Sequence, residues 1–246
     1  MSWKARQCET LNLQRCTSPL TLASVKRDAM TPPKVKICCI SSVEEARLAV
    51  VCGAAALGLV SAMPSGPGVI DEDLIAEIIR AVPPPIATFF LTSRQHADAI
   101  IEQQQRCRPN TIQLVDTVAE LELIRIRRAL PGIALVQVIH VTGPESIDEA
   151  CAVAPHVDAI LLDSGNQKID VKELGGTGRV HDWHISRAIR ECCGKPLFLA
   201  GGLRADNVRE AIDQVQPFGL DLCNGVRTDG KLDEAKLRAF FLAARQ

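Results

Sequence analysis

Tyrosine is absent from this chain of 246 residues, and the other aromatics are few: six Phe and two Trp. A core must therefore be aliphatic, which suits an interior filled by branched side chains. An excess of either charge is missing too: 28 Lys and Arg stand against 29 Asp and Glu, for a net charge of −1. That argues against a nucleic-acid or anionic-membrane partner, which would need a basic face. No apolar run approaches the ~20 residues that span a bilayer, so no membrane partner is expected. Residues 1–33 carry Lys4, Arg6, Arg15, Lys26 and Arg27 but no apolar stretch of a secretory signal. None of the ten cysteines forms a CxxC pair, and the two Cys-Cys pairs are adjacent residues without the usual ligand spacing. A metal site is therefore not expected, and the cysteines read mostly as buried, reduced thiols of a cytoplasmic protein.

What is present is regular. Apolar residues make up 47% of the chain, and from residue 34 onward short apolar runs alternate with helix-like segments. The runs are Val35–Ile40, Ala56–Ser61, Ile86–Leu91, Thr111–Val115, Ala134–Val141, Ala159–Ser164, Pro196–Ala200 and Gly219–Cys223. Continuous apolar strands alternating with helices mean a parallel sheet covered on both faces. Eight such units in about 250 residues close most naturally into a single (β/α)8 barrel, the TIM barrel of the α/β class. An open doubly wound sheet is the alternative. The reading divides the chain into a disordered or non-native N-terminal extension, 1–33, with Met30 as a natural start, and one barrel domain, 34–246.

A barrel builds its site at the C-terminal ends of its strands, so those ends are the candidates. Gly201 and Gly202 end strand seven, and Asn224 and Gly225 end strand eight. Loops after these two strands are a common phosphate site, where backbone N–H groups meet the anion. The loop Gly175-Gly176-Thr177-Gly178 follows strand six and adds Gly176, Thr177 and Gly178 as further backbone donors. Strand six ends on Asp163 and strand one on Cys38. A thiol of lowered pKa and a carboxyl of raised pKa make a base and an acid. Lys36, two residues before Cys38 on the same side of the strand, would favour the thiolate and counts among the substrate-contacting candidates. An acid and a base over a phosphate-anchored sugar suggest aldose–ketose isomerisation. Against this, Cys38 can be a small buried hydrophobe and Asp163 a loop cap.

The ordered set Lys36-Ile37-Cys38, Leu57-Gly58, Leu162-Asp163-Ser164, Gly175 to Gly178 with Asp182-Trp183, Leu199 to Leu203 with Asn207-Val208, and Asp221 to Val226 resembles the phosphoribosylanthranilate isomerase family. The resemblance implies a barrel enzyme of tryptophan biosynthesis with no metal or organic cofactor, acting as a monomer or homodimer on a small phosphosugar. It implies Asp163 as general acid on the ribose ring oxygen and Cys38 as general base at C2. Gly201, Gly202, Asn224 and Gly225 would hold the phosphate. Four positions depart from the family's usual residues: Cys39 where Gly follows the catalytic Cys, Gly68 where an Arg ends the loop after strand two, Val115-Asp116 for His-Gly, and Gln137 for Lys. Without that Arg, the carboxylate of the substrate would fall to Arg94 or His140. Isomerisation of another phosphosugar amine, or a non-catalytic phosphate-binding barrel, are the alternatives.

Overall fold

The computed structural model describes residues 32–165 and 178–246. The extension expected over 1–33 lies almost wholly outside these residues, as do Gly176 and Thr177. Eight parallel strands form a closed barrel in chain order: β1 (Lys34–Ile37), β2 (Ala56–Val60), β3 (Ala87–Thr92), β4 (Thr111–Leu114), β5 (Ala134–His140), β6 (Ala159–Asp163), β7 (Leu197–Leu199) and β8 (Gly219–Leu222). β1 closes the ring on β8, with Lys36 opposite Asp221. Each strand is followed by a helix: α1 (Val43–Cys52), α2 (Glu72–Ala81), α3 (Ala97–Cys107), α4 (Glu120–Ala129), α5 (Glu145–Val153), α6 (Trp183–Cys193), α7 (Val208–Val215) and α8 (Glu234–Ala243).

The strand residues divide by face, as the two-residue period of a strand requires. One set, including Leu57, Leu59, Ile112, Leu114, Leu135, Ile139, Ile160 and Leu162, packs outward against the helices in one large core. The other, including Ala56, Val60, Phe89, Val136, Val138, Leu161 and Phe198, fills the barrel itself. Three of the six phenylalanines stack edge to face there, Phe89 on Phe198 and Phe198 on Phe218, each pair 5.5 Å between ring centres. Phe90, Phe240, Phe241 and Trp183 pack in the helix-layer core instead.

The N-terminus of α1 forms as its sequence predicts. Ser42 accepts from the Glu45 N–H, Glu45 reaches back to the Ser41 N–H, and Gly53 ends the helix in the left-handed region. The sequence predicts helices from Ser93, Thr117 and about Ala205, but α3, α4 and α7 begin at Ala97, Glu120 and Val208. Thr92 accepts the Arg94 N–H, Asp116 the Thr117 N–H and Asn207 the Arg204 N–H. Such side-chain bonds satisfy backbone donors outside a helix, so the loops above the strand ends are longer and better fixed than expected. A small hairpin after β8 is also new: Arg227–Thr228 pairs with Lys231–Leu232 across Asp229-Gly230, both at positive φ. No helix among the described residues is long and apolar enough to cross a membrane.

Candidate active site

The C-terminal ends of the strands surround a cavity of about 220 Å³ whose lining includes Cys38, Gln113, Asp163, Gly178, Gly201, Gly202, Arg204, Asn224 and Gly225. The candidate base, the candidate acid and the glycine-bearing strand ends therefore face one space. Lys36 does not line it. It lies inside the barrel, fully buried, with Nζ 2.8 Å from Asp221 Oδ1 and 5.3 Å from the Phe89 ring centre. The expected contact between Lys36 and substrate is therefore corrected. A cation locked one layer below the mouth acts through its field and not by touch.

That field bears on Cys38. Burial of Lys36 opposes its charge, but Asp221 and Cys38 more than offset this, and the ammonium keeps its proton beyond the usual range. A hydrogen bond from Cys39 holds the Cys38 thiol below its ordinary pKa; burial works against it and Lys36 assists. Cys39 moves up: hydrogen bonds with Cys223 and Cys38, and burial, raise its pKa. Asp163 moves up as well. Desolvation raises its pKa, and Asp221 adds to this; the Ser164 N–H at 2.7 Å and His140 pull it back. The mouth thus favours thiolate at Cys38 and carboxylic acid at Asp163.

Cys39 occupies an unusual backbone position, with φ +61° in the left-handed region. Arg227 clamps this turn: its Nη2 donates to the carbonyls of Cys38 and Cys39, while Nη1 pairs with Glu45 at 3.0 Å. The Cys39 thiol is 2.9 Å from Cys223 Sγ and 3.5 Å from the Pro67 carbonyl. The next residue in that loop, Gly68, has φ +77°, and a Cβ there would overlap Cys39 Cβ. Two departures from the family pattern are thus one spatial exchange. The side chain gained at 39 fills the space that a side chain at 68 would need.

The glycine-bearing strand ends expected to meet the phosphate are shaped by their backbone. Gly201 and Gly202 take φ values of +82° and +62°, which a Cβ would strain. Asn207 fixes their loop, with Nδ2 donating to the Gly202 carbonyl and Oδ1 accepting the Arg204 N–H. Asn224 opens a single 3-10 turn, Asn224–Val226, beside it.

Neither residue expected to meet a substrate carboxylate lines the cavity. Arg94 is exposed outside it. His140 is buried, with Nε2 3.0 Å from the Val115 carbonyl; a carbonyl only accepts, so Nε2 bears the proton. Gln137 faces the helix layer and donates its amide to the Leu114 and Asp116 carbonyls. Sequence reasoning missed three residues. Arg204 is the one Lys or Arg among the cavity-lining residues described. Gln113 lines the cavity, with its Oε1 buried and without a hydrogen-bond partner. Arg227 orders the Cys38-Cys39 turn. A polar residue within an apolar strand was a readable signal for Gln113; the position of Arg227 depends on the unforeseen hairpin.

A closed (β/α)8 barrel with a carboxyl and a thiol facing one cavity at its mouth, over glycine-bearing ends of β7 and β8, is the architecture of a barrel isomerase. The sequence model of N-(5'phosphoribosyl)anthranilate (PRA) isomerase matches residues 35–243, and the chain belongs to that family. It is 35% identical over 214 residues to N-(5'-phosphoribosyl)anthranilate isomerase 2 of Methanosarcina mazei, covering 86% of this chain and 94% of the relative. A counterpart from Thermosynechococcus vestitus is 32% identical over 79% of this chain and 81% of its own. Among solved structures, phosphoribosyl anthranilate isomerase from Thermotoga maritima superposes with a TM-score of 0.75 at 27% identity, over 87% of this chain and 98% of that one. A phosphoribosyl anthranilate isomerase in complex with reduced 1-(o-carboxyphenylamino)-1-deoxyribulose 5-phosphate superposes at 0.73, with 26% identity, over 87% and 98%.

Proposed function

We propose that residues 34–246 form the catalytic domain and convert N-(5'-phosphoribosyl)anthranilate to 1-(2-carboxyphenylamino)-1-deoxyribulose 5-phosphate, an Amadori rearrangement of tryptophan biosynthesis in the cytoplasm. The observation that carries the reading is the pairing, across one cavity, of a thiol with lowered pKa and a carboxyl with raised pKa. Asp163 gives its proton to the ribose ring oxygen. The C1–O bond breaks as the anilino nitrogen forms the Schiff base. Cys38 thiolate then takes the proton from C2, and the electrons of that C–H bond move to neutralise the iminium. The resulting enolamine becomes the ketone as its O–H proton leaves and C1 gains one. Backbone N–H groups at Gly178, Gly201, Gly202, Asn224 and Gly225, with Gly176 and Thr177 outside the described residues, serve the phosphate. Gln113 offers its amide to the sugar hydroxyls. All these groups come from one chain, so a monomer and a homodimer serve the reaction equally.

A second reading, the same isomerisation on a different phosphosugar amine, is favoured by one observation: Gly68 offers no cation to an anthranilate carboxylate, and Arg204 of the cavity lining stands beside the phosphate loop. The two are separated by growth without tryptophan of a host lacking the isomerase. Rescue by the full chain, and by neither Cys38→Ala nor Asp163→Asn, supports the first reading. Failure of the full chain, expressed and folded, supports the second.

A further inference from the structure

Away from the mouth, three thiols that are distant in sequence meet on the helical layer. Cys151 lies near the end of α5, and Cys192 and Cys193 end α6, which packs beside it. Cys151 Sγ is 3.7 Å from Cys193 Sγ, and Cys192 Sγ is 3.6 Å from Cys193 Sγ. All three sulfurs fall within 4.8 Å of one another, the one cluster of its kind among the described residues. Adjacent cysteines lack ligand spacing by themselves; helix packing supplies the third. Helices of this fold run back from the mouth, so the ends of α5 and α6 lie towards the opposite face of the barrel. None of the three lines the cavity.

We propose that Cys151, Cys192 and Cys193 form a binding site for a single soft d10 metal ion, such as Cu(I) or Zn(II), coordinated by three thiolates with one position open to solvent. The spacing fits. A metal–sulfur bond of about 2.3 Å at tetrahedral angles separates its sulfurs by about 3.8 Å, against the 3.6 and 3.7 Å found. The third pair closes with a rotamer adjustment at exposed Cys192. Thiolate ligands select soft ions over Mg2+ or Ca2+. The site also sits at the carbonyl end of α6, which terminates at Gly194, where the helix dipole favours a cation. Thiols must lose their protons to become ligands, so binding releases protons and strengthens as pH rises.

The test titrates the reduced full chain with Cd(II), following thiolate-to-cadmium absorption in the ultraviolet, with Cu(I) and Zn(II) as competitors. One Cd(II) should bind per chain and be displaced by Cu(I). Cys151→Ser and Cys192→Ser should each weaken binding at least tenfold, while Cys223→Ser at the mouth leaves it unchanged. The exposed Cys192 keeps the test open if Cys151→Ser does not fold. Equal binding by Cys192→Ser and the parent, or loss of binding in Cys223→Ser, overturns the proposal. So does a reduced parent that binds no Cd(II) and on mild oxidation forms only a Cys151–Cys193 disulfide.

Discussion

Gly58 lies in β2 with its missing side chain directed at the Cys38 thiol, so Gly58→Ala probes the proposed base without removing any functional group. An added Cβ would stand 2.9 Å from Cys38 Sγ, 2.9 Å from Lys36 Nζ and 3.0 Å from Cys38 Cα, where ordinary contact begins at 3.4 Å. Lys36 cannot retreat freely, because Asp221 holds it at 2.8 Å inside a filled barrel. The Cys38 Cα is backbone just past β1, held by its N–H donating to the Leu222 carbonyl at 2.7 Å. The thiol must therefore move by about half an ångström, or the strands must part, and overpacking of this kind costs about 1–3 kcal/mol. At about 2–4 °C per kcal/mol for a chain of this size, the melting temperature should fall by several degrees. Misplacing a reacting group by about 1 Å costs up to about 100-fold in rate, so kcat should fall by about 10- to 100-fold. KM should change little, because the loops proposed to hold the phosphate follow β7 and β8. Steady-state turnover of N-(5'-phosphoribosyl)anthranilate and a thermal melt measure both quantities. A variant with kcat within about twofold of the parent and an unshifted melt, as for a neutral surface change, would refute the inward geometry of Cys38.

Three other outcomes follow from the same geometry. Asp163→Asn should abolish activity yet leave the fold as stable as the parent or more so at neutral pH. A carboxyl whose folded pKa is raised stabilises below its unfolded pKa and loses that contribution as pH rises through the folded one; the parent's melting temperature should therefore drop relative to the variant with rising pH. Lys36→Met should move the pH midpoint of Cys38 alkylation by iodoacetamide upward, since it removes a charge that favours the thiolate. It also leaves Asp221 buried alone, a change that costs about 3–5 kcal/mol by chemical denaturation; an unmoved alkylation profile would mean that Lys36 does not act on Cys38. Gly68→Arg alone should destabilise by overlap with Cys39, and Cys39→Gly should relieve it. A double-mutant cycle on melting data should give a coupling of about 0.5–3 kcal/mol, and simple additivity would show that the two positions are independent.

The barrel was legible because β and α signals alternate eight times and the strands are apolar throughout. The ends of β1, β6, β7 and β8 were legible because a barrel concentrates chemistry there. Lys36 was misread: alternation along β1 places it on the same side as Cys38, but one layer deeper, where Asp221 of the neighbouring strand neutralises it. That pairing depends on the β1–β8 closure, which no local pattern encodes. Arg227 and the Cys151–Cys192–Cys193 cluster were invisible for the same reason, since each needs elements that meet only in three dimensions. The departures at Cys39 and Gly68 were read separately; the structure brings the two loops together, where a Cβ at 68 would overlap Cys39 Cβ.

The most direct test of the catalytic assignment is the rate of the reaction itself in the purified full chain, Cys38→Ala and Asp163→Asn, with binding of reduced 1-(o-carboxyphenylamino)-1-deoxyribulose 5-phosphate measured in parallel. Loss of a general acid or base removes about 10²–10⁴-fold in rate. Each variant should therefore lose at least about 100-fold in kcat while binding the product analogue within about tenfold of the parent. If either variant turned over within about tenfold of the parent, Cys38 or Asp163 would not be the group that moves the proton.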